Sequence, residues 1–68
     1  MAEPAEHPND TEDLVRLVRV VRQEQGWTPA KLAEAAGVPE AEVARFEAEE
    51  IVPAEPLAMR FLAAMGRV

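Results

Sequence analysis

The side chains able to do chemistry in this chain are carboxylates and guanidinium groups, with little else beside them. Glu40, Glu42, Glu47, Glu49, Glu50 and Glu55 crowd one short stretch. Such a cluster suggests paired-carboxylate catalysis or a cation site. Catalysis needs a concave, partly desolvated pocket to shift pKa values, and short helices joined by a tight turn present a convex surface instead. A calcium loop needs its ligands in a fixed pattern around a glycine, and that pattern is absent. The chain has no cysteine, and its single His7 lies in a stretch too polar to build a pocket. We therefore expect no catalytic residues, no metal site, no cofactor and no enzymatic activity. The plainest reading of the glutamates is a solvated acidic face; a further reading is a face that mimics nucleic acid or docks on a basic partner.

Arg16, Arg19 and Arg22 form a row of cations that suits either a phosphate- or partner-binding stripe or a solvated helix face. The solvated face is the favoured reading, because three arginines on an acidic protein leave a weak electrostatic footprint. Arg45 stands alone in the acidic stretch, as a base reader or as a surface partner of Glu42 three residues before it. Trp27 is either a binding anchor or, as we favour, a cover over a small core.

Length and charge bound the rest. Sixty-eight residues make one domain, and a chain so short buries only about 60% of the surface its unfolded form exposes. Two Phe and one Trp among many Ala, Val and Leu favour packed short helices. No apolar run approaches the roughly 18 residues needed to span a bilayer, and the first residues lack a basic start and an apolar stretch. The chain reads as soluble and cytoplasmic, without a membrane partner. The net charge is −6, made of −5 over residues 1–13, +2 over 14–27, −5 over 28–56 and +2 over 57–68. Non-specific nucleic-acid binding is driven by neutralising phosphates, so any such binding has to be explained locally.

The elements that position these groups are short helices. Residues 1–10 cannot repay their ordering entropy by burial and read as a disordered acidic tail, with the folded domain over 11–68. Asn9 with Glu12, or Asp10 with Asp13, caps a first helix beginning near Thr11 and stopped by Gly26. Leu14, Leu17, Val18 and Val21 form its buried stripe, with Val15 and Arg22 on the flank and Val20 outward. Thr28 and Pro29 read as cap and first position of a second helix, which Gly37 ends near Ala36 in a left-handed turn. A third helix runs from about Glu40 to Ala48 with Val43 and Phe46 inward. Pro53 and Pro56 break the stretch from Ala48 to Pro56 into a loop. A fourth helix, from about Glu55 to Met65, points Leu57, Phe61, Ala64 and Met65 inward. The fold class is all-α, a compact four-helix domain in which the second and third helices form a helix-turn-helix. Val20, Ile51, Val52, Met59 and Val68 cannot all fit so small a core, and a homodimer or a partner protein would cover some of them.

The stretch Arg22 to Glu47, R-Q-E-Q-G-W-T-P-A-K-L-A-E-A-A-G-V-P-E-A-E-V-A-R-F-E, resembles the lambda-repressor-like helix-turn-helix family, the Cro and phage-repressor group also called XRE-type. The anchors that carry the resemblance are the arginine, the Gly-hydrophobic-Thr turn, Leu-Ala, Gly-Val, an aliphatic residue and the closing glutamate. It extends over about residues 14 to 66. The resemblance implies a salt bridge between Arg22 and Glu47 that fixes orientation more than it adds stability. It also implies DNA binding, with the third helix in the major groove of double-stranded DNA. Pro39, Glu40, Ala41 and Arg45 then face base edges, while Thr28, Pro29 and the loop from Glu49 to Glu55 face phosphates.

Several positions depart from the family pattern. Of the side chains best suited to guanine or adenine edges, the third helix offers Arg45 alone. Pro29 replaces the usual polar residue beside the cap, Glu49 replaces the usual glycine after the third helix, and the usually basic loop is acidic. The family's last helix, often used in dimerisation, has no counterpart before Val68. The leading expectation is a DNA-binding transcriptional regulator of the Cro/repressor type, acting as a dimer or beside a partner. The rival is an acidic helix-turn-helix module adapted to bind a basic protein, as an antirepressor, antitoxin or regulatory subunit.

Overall fold

The computed structural model describes the backbone of residues 8–67 and the side chains of residues 11–67. Four helices are arranged in the order α1 (Pro8–Glu24), α2 (Pro29–Ala36), α3 (Glu40–Glu47) and α4 (Glu55–Ala64), with no strand among the described residues. The tail read as disordered lies outside the described residues up to His7, as does Val68. The backbone of residues 8–10 is helical, so α1 starts three residues before the expected Thr11. Proline explains the shift: it lacks the N–H that a first helical turn leaves unpaired, and its φ is already helical. The backbone of Asn9 and Asp10 therefore lies within the helix, past the cap position expected for them.

The second helix begins as its residues demand. Thr28 has an extended backbone, and its hydroxyl oxygen accepts from the Lys31 amide at 3.1 Å ahead of Pro29. At the other end Gly37 is left-handed, with φ 75°; its amide donates to the Glu34 carbonyl, and the Val38 amide donates to the Ala33 carbonyl at 3.0 Å. Val38 then packs against the core, which ties the turn to the helix pair. In α3, Pro39 offers no side-chain cap, and the first turn carries Glu40 and Glu42 instead. Carboxylates there complement the positive end of the helix dipole, worth about 0.3–1 kcal/mol each.

The third helix ends on the same hydrogen bonds as the second without a glycine. The Glu49 amide donates to the Phe46 carbonyl at 2.9 Å and the Glu50 amide to the Arg45 carbonyl at 3.0 Å, with Glu49 itself at φ 64°. A left-handed residue with a Cβ costs roughly 1–2 kcal/mol. The connection to α4 contains a cis Val52–Pro53 bond and is pinned by buried Ala54 and half-buried Ile51. Ile51 thus leaves the expected set of unplaced apolar residues, because the turn at Glu49 brings the chain back across the core.

The core is the space the four helices share: Val15, Val18 and Val21 from α1, Leu32 and Ala33 from α2, Val43 and Phe46 from α3, and Ala58, Phe61 and Leu62 from α4, closed by Met65. Phe46 and Phe61 meet edge to face, with ring centroids 5.0 Å apart. The buried stripe of α1 differs from the expected one. Leu17 is 46% exposed, whereas Val15 and Arg22 are buried. At about 100° per residue the stripe is turned by roughly 60°, because Arg22 must face α3, and Val18 and Val15 lie one and two turns before it on the same side. Val20, Met59 and Val52 remain exposed.

Candidate functional site

The helix pair α2–α3 is held from behind by α1. Arg22 Nε donates to Glu47 Oε2 at 2.9 Å, Nη2 donates to Oε1 at 3.4 Å, and Nη1 donates to the Trp27 carbonyl at 2.8 Å. The two side chains are only 10% and 18% exposed. One guanidinium thereby joins the last turn of α3 to the junction of α1 and α2, and its planar fork sets the angle between them. Arg19 Nη2 also donates to the Glu47 backbone carbonyl at 3.5 Å. Arg16 pairs with Glu12 at 3.5 Å on the surface. The arginine row is thus engaged within the molecule, with Arg22 buried and Arg16 and Arg19 on the surface.

Beside this brace, a shallow cleft of about 80 Å³ is lined by Glu12, Val15, Arg16, Arg19 and Glu49. Its charges offset one another, and it is too small to enclose a substrate of ordinary size. Trp27 is half-buried against the core, and the Lys31 ammonium lies 5.5 Å from its ring centroid. The tryptophan is therefore a cover for the core whose outer side also holds a cation.

Beside the brace, about a quarter-turn around the helix from Glu47, lies the outer face of α3. Val43 and Phe46 point inward, which turns Pro39, Glu40, Ala41, Ala44, Arg45 and Ala48 outward, all exposed. The centre of this face is alanine, with Glu40 on one edge and Arg45 on the other. Glu42 is half-buried toward the flank. Among the described residues Arg45 makes no ion pair with Glu42, so its guanidinium extends into solvent. Thr28 sits at the start of α2; its hydroxyl oxygen is used as a cap acceptor, and its hydroxyl hydrogen remains available as a donor.

The structure thus places Pro39, Glu40, Ala41 and Arg45 on one exposed helix face and Thr28 at the start of the neighbouring helix. Lys31, an exposed cation one turn into α2, was not among the sequence-derived candidates. Its signal was its position three residues after the cap, on the turn that presents free amides. The loop from Glu49 to Glu55 brings carboxylates and apolar residues to the far end of α3, and no cation.

No helix among the described residues is long and apolar enough to cross a membrane. No curated protein and no solved structure matches the chain. A family model described as a helix-turn-helix domain matches residues 13–67, which takes in α2, its turn, α3 and both flanking helices. A domain of this kind suggests a DNA-binding regulator in general terms, and on that match the chain belongs to the helix-turn-helix domain family.

Proposed function

We propose that this domain is a double-stranded-DNA-binding transcriptional regulator of the Cro/repressor type. In this reading α3 enters the major groove with Pro39, Glu40, Ala41 and Arg45 at base edges, while Thr28 donates to a phosphate. The observation that carries it is the outer face of α3: held by the brace on its flank, lined with alanine, and bearing an exposed arginine that makes no ion pair with Glu42 among the described residues. The role is binding, not catalysis, since the carboxylates stand on convex surface and the cleft beside α1 is shallow. Exposed Leu17, Val20, Met59 and Val52 support a dimer or a partner protein as the working form.

A second reading is favoured by the charge. With a net charge of −6 and Glu40, Glu42, Glu49 and Glu50 around α3, the same face suits a basic protein surface. The two are separated by selecting bound fragments from a random DNA pool at about 50 mM salt, where phosphate attraction is little screened. Enrichment of a motif that Arg45→Ala abolishes is the expected result, and a palindromic motif marks a dimer. No enrichment at this salt concentration overturns the DNA reading in favour of the protein-binding module.

A further inference from the structure

Resting on the DNA-binding reading, we propose that α3 specifies a cytosine through Glu40 and a guanine through Arg45, so that the acidic residue at the head of the helix is a determinant of sequence preference. Only two long polar side chains flank the outward face of α3, and they lie on opposite edges of the strip formed by Ala41, Ala44 and Ala48. The alanines carry nothing that holds the helix away from a groove floor. Both flanking groups therefore reach base edges from a backbone that approaches closely.

The chemistry of each group selects its base. In the major groove guanine presents two acceptors, O6 and N7, which match the guanidinium fork of Arg45. A carboxylate is acceptor-only, so Glu40 is repelled by guanine O6 and N7 and by thymine O4. Adenine offers an N6 amino donor, but its N7 acceptor lies beside it. Cytosine N4 is the amino donor with no competing ring acceptor at the groove edge, and it is the base that a carboxylate accepts from at least cost. Glu40 and Arg45 are five residues apart, about 7.5 Å along the helix axis. That separation is short enough for both groups to reach base edges within one turn of the major groove.

Glu40 is also suited to this task by its place in the fold. It opens α3 after Pro39, which provides no side-chain cap, and the residues at the head of such a helix are those that reach base edges. Its carboxylate makes no ion pair among the described residues. The positive end of the helix dipole favours a carboxylate at this position without consuming its acceptor capacity.

The test is selection from a random duplex pool with the wild-type chain and with Glu40→Gln, each checked for retained helicity by circular dichroism. Glutamine pairs with adenine N6 and N7. The expected result is a wild-type motif containing a guanine and a cytosine within one half-site, with the cytosine position shifting to adenine in Glu40→Gln by about tenfold or more in relative affinity. Arg45→Ala, which removes the guanine contact, should abolish the enrichment, whereas Glu40→Gln changes its base preference. An enriched motif with no cytosine preference, or one unchanged by Glu40→Gln, overturns this assignment and leaves DNA binding standing. Absence of any enriched motif from the wild-type selection overturns DNA binding and this assignment together.

Discussion

Helices α2 and α3 end on the same pair of backbone hydrogen bonds, yet by different means. At the end of α2 a glycine takes the left-handed position and the next residue, Val38, packs against the core. At the end of α3 a glutamate takes that position, the next residue is also a glutamate, and neither is buried. What the apolar plug does for α2 is done for α3 by two arginines of α1, one gripping the Glu47 carboxylate and the other its backbone carbonyl. The contrast shows that the turn geometry does not require glycine. It requires that the strain of a left-handed side-chain-bearing residue be offset by something nearby, and here the arginine contacts to Glu47 stand beside the packing of Ile51 and Ala54 on the core.

The contrast is broken most severely by Arg22→Met. Loss of one partner leaves the half-buried Glu47 carboxylate without its counter-ion, at a cost of about 3 kcal/mol. A 68-residue domain is stable by only roughly 3–10 kcal/mol. The urea midpoint should fall steeply, and a midpoint within error of wild type would show that the pair does not hold α3.

A matched pair of substitutions sharpens it. A Cβ added at Gly37 meets no atom within 4 Å, so Gly37→Ala isolates the backbone penalty of φ 75° and should cost about 1 kcal/mol. Glu49→Gly should act in the opposite sense, gaining about 0.5–1 kcal/mol as relief of strain exceeds the added chain entropy. If thermal melts show Glu49→Gly to be destabilising, the glutamate makes an interaction that outweighs its strain.

The smallest effect belongs to Arg19→Gln. Its contact with the Glu47 carbonyl is long, at 3.5 Å, and exposed, so the loss should be under about 0.5 kcal/mol. The difference from wild type should shrink in about 1 M salt, where surface electrostatics are screened. An effect as large as that of Arg22→Met would mean that the two arginines act as one unit.

Much of this arrangement was legible in the residues. Thr28 before Pro29 marks a helix start, Gly26 and Gly37 mark stops, and Arg22 and Glu47 lie at the ends of the segment that resembles the repressor family. Other features were hidden for identifiable reasons. Val15 and Leu17 are both apolar and only two positions apart, so periodicity could not say which one turned inward; the need of Arg22 to face Glu47 decided it. Glu49 carries no local signal for a left-handed conformation. The packing of Ile51 depends on the direction the chain takes after that turn. The outer face of α3 could be drawn from the inward placement of Val43 and Phe46. The partner of Arg45 could not, because a surface side chain three residues from a glutamate has solvent as an equal alternative.

Trp27 is the only tryptophan in the chain, and its carbonyl is the third acceptor gripped by Arg22 while its ring lies between the core and the Lys31 ammonium. The molecule therefore carries its own optical reporter at the point where the brace, the start of α2 and the core converge. Any event that slackens the clasp on α3 changes the solvent around the indole, and its fluorescence reads the tightness of the helix pair without an added label.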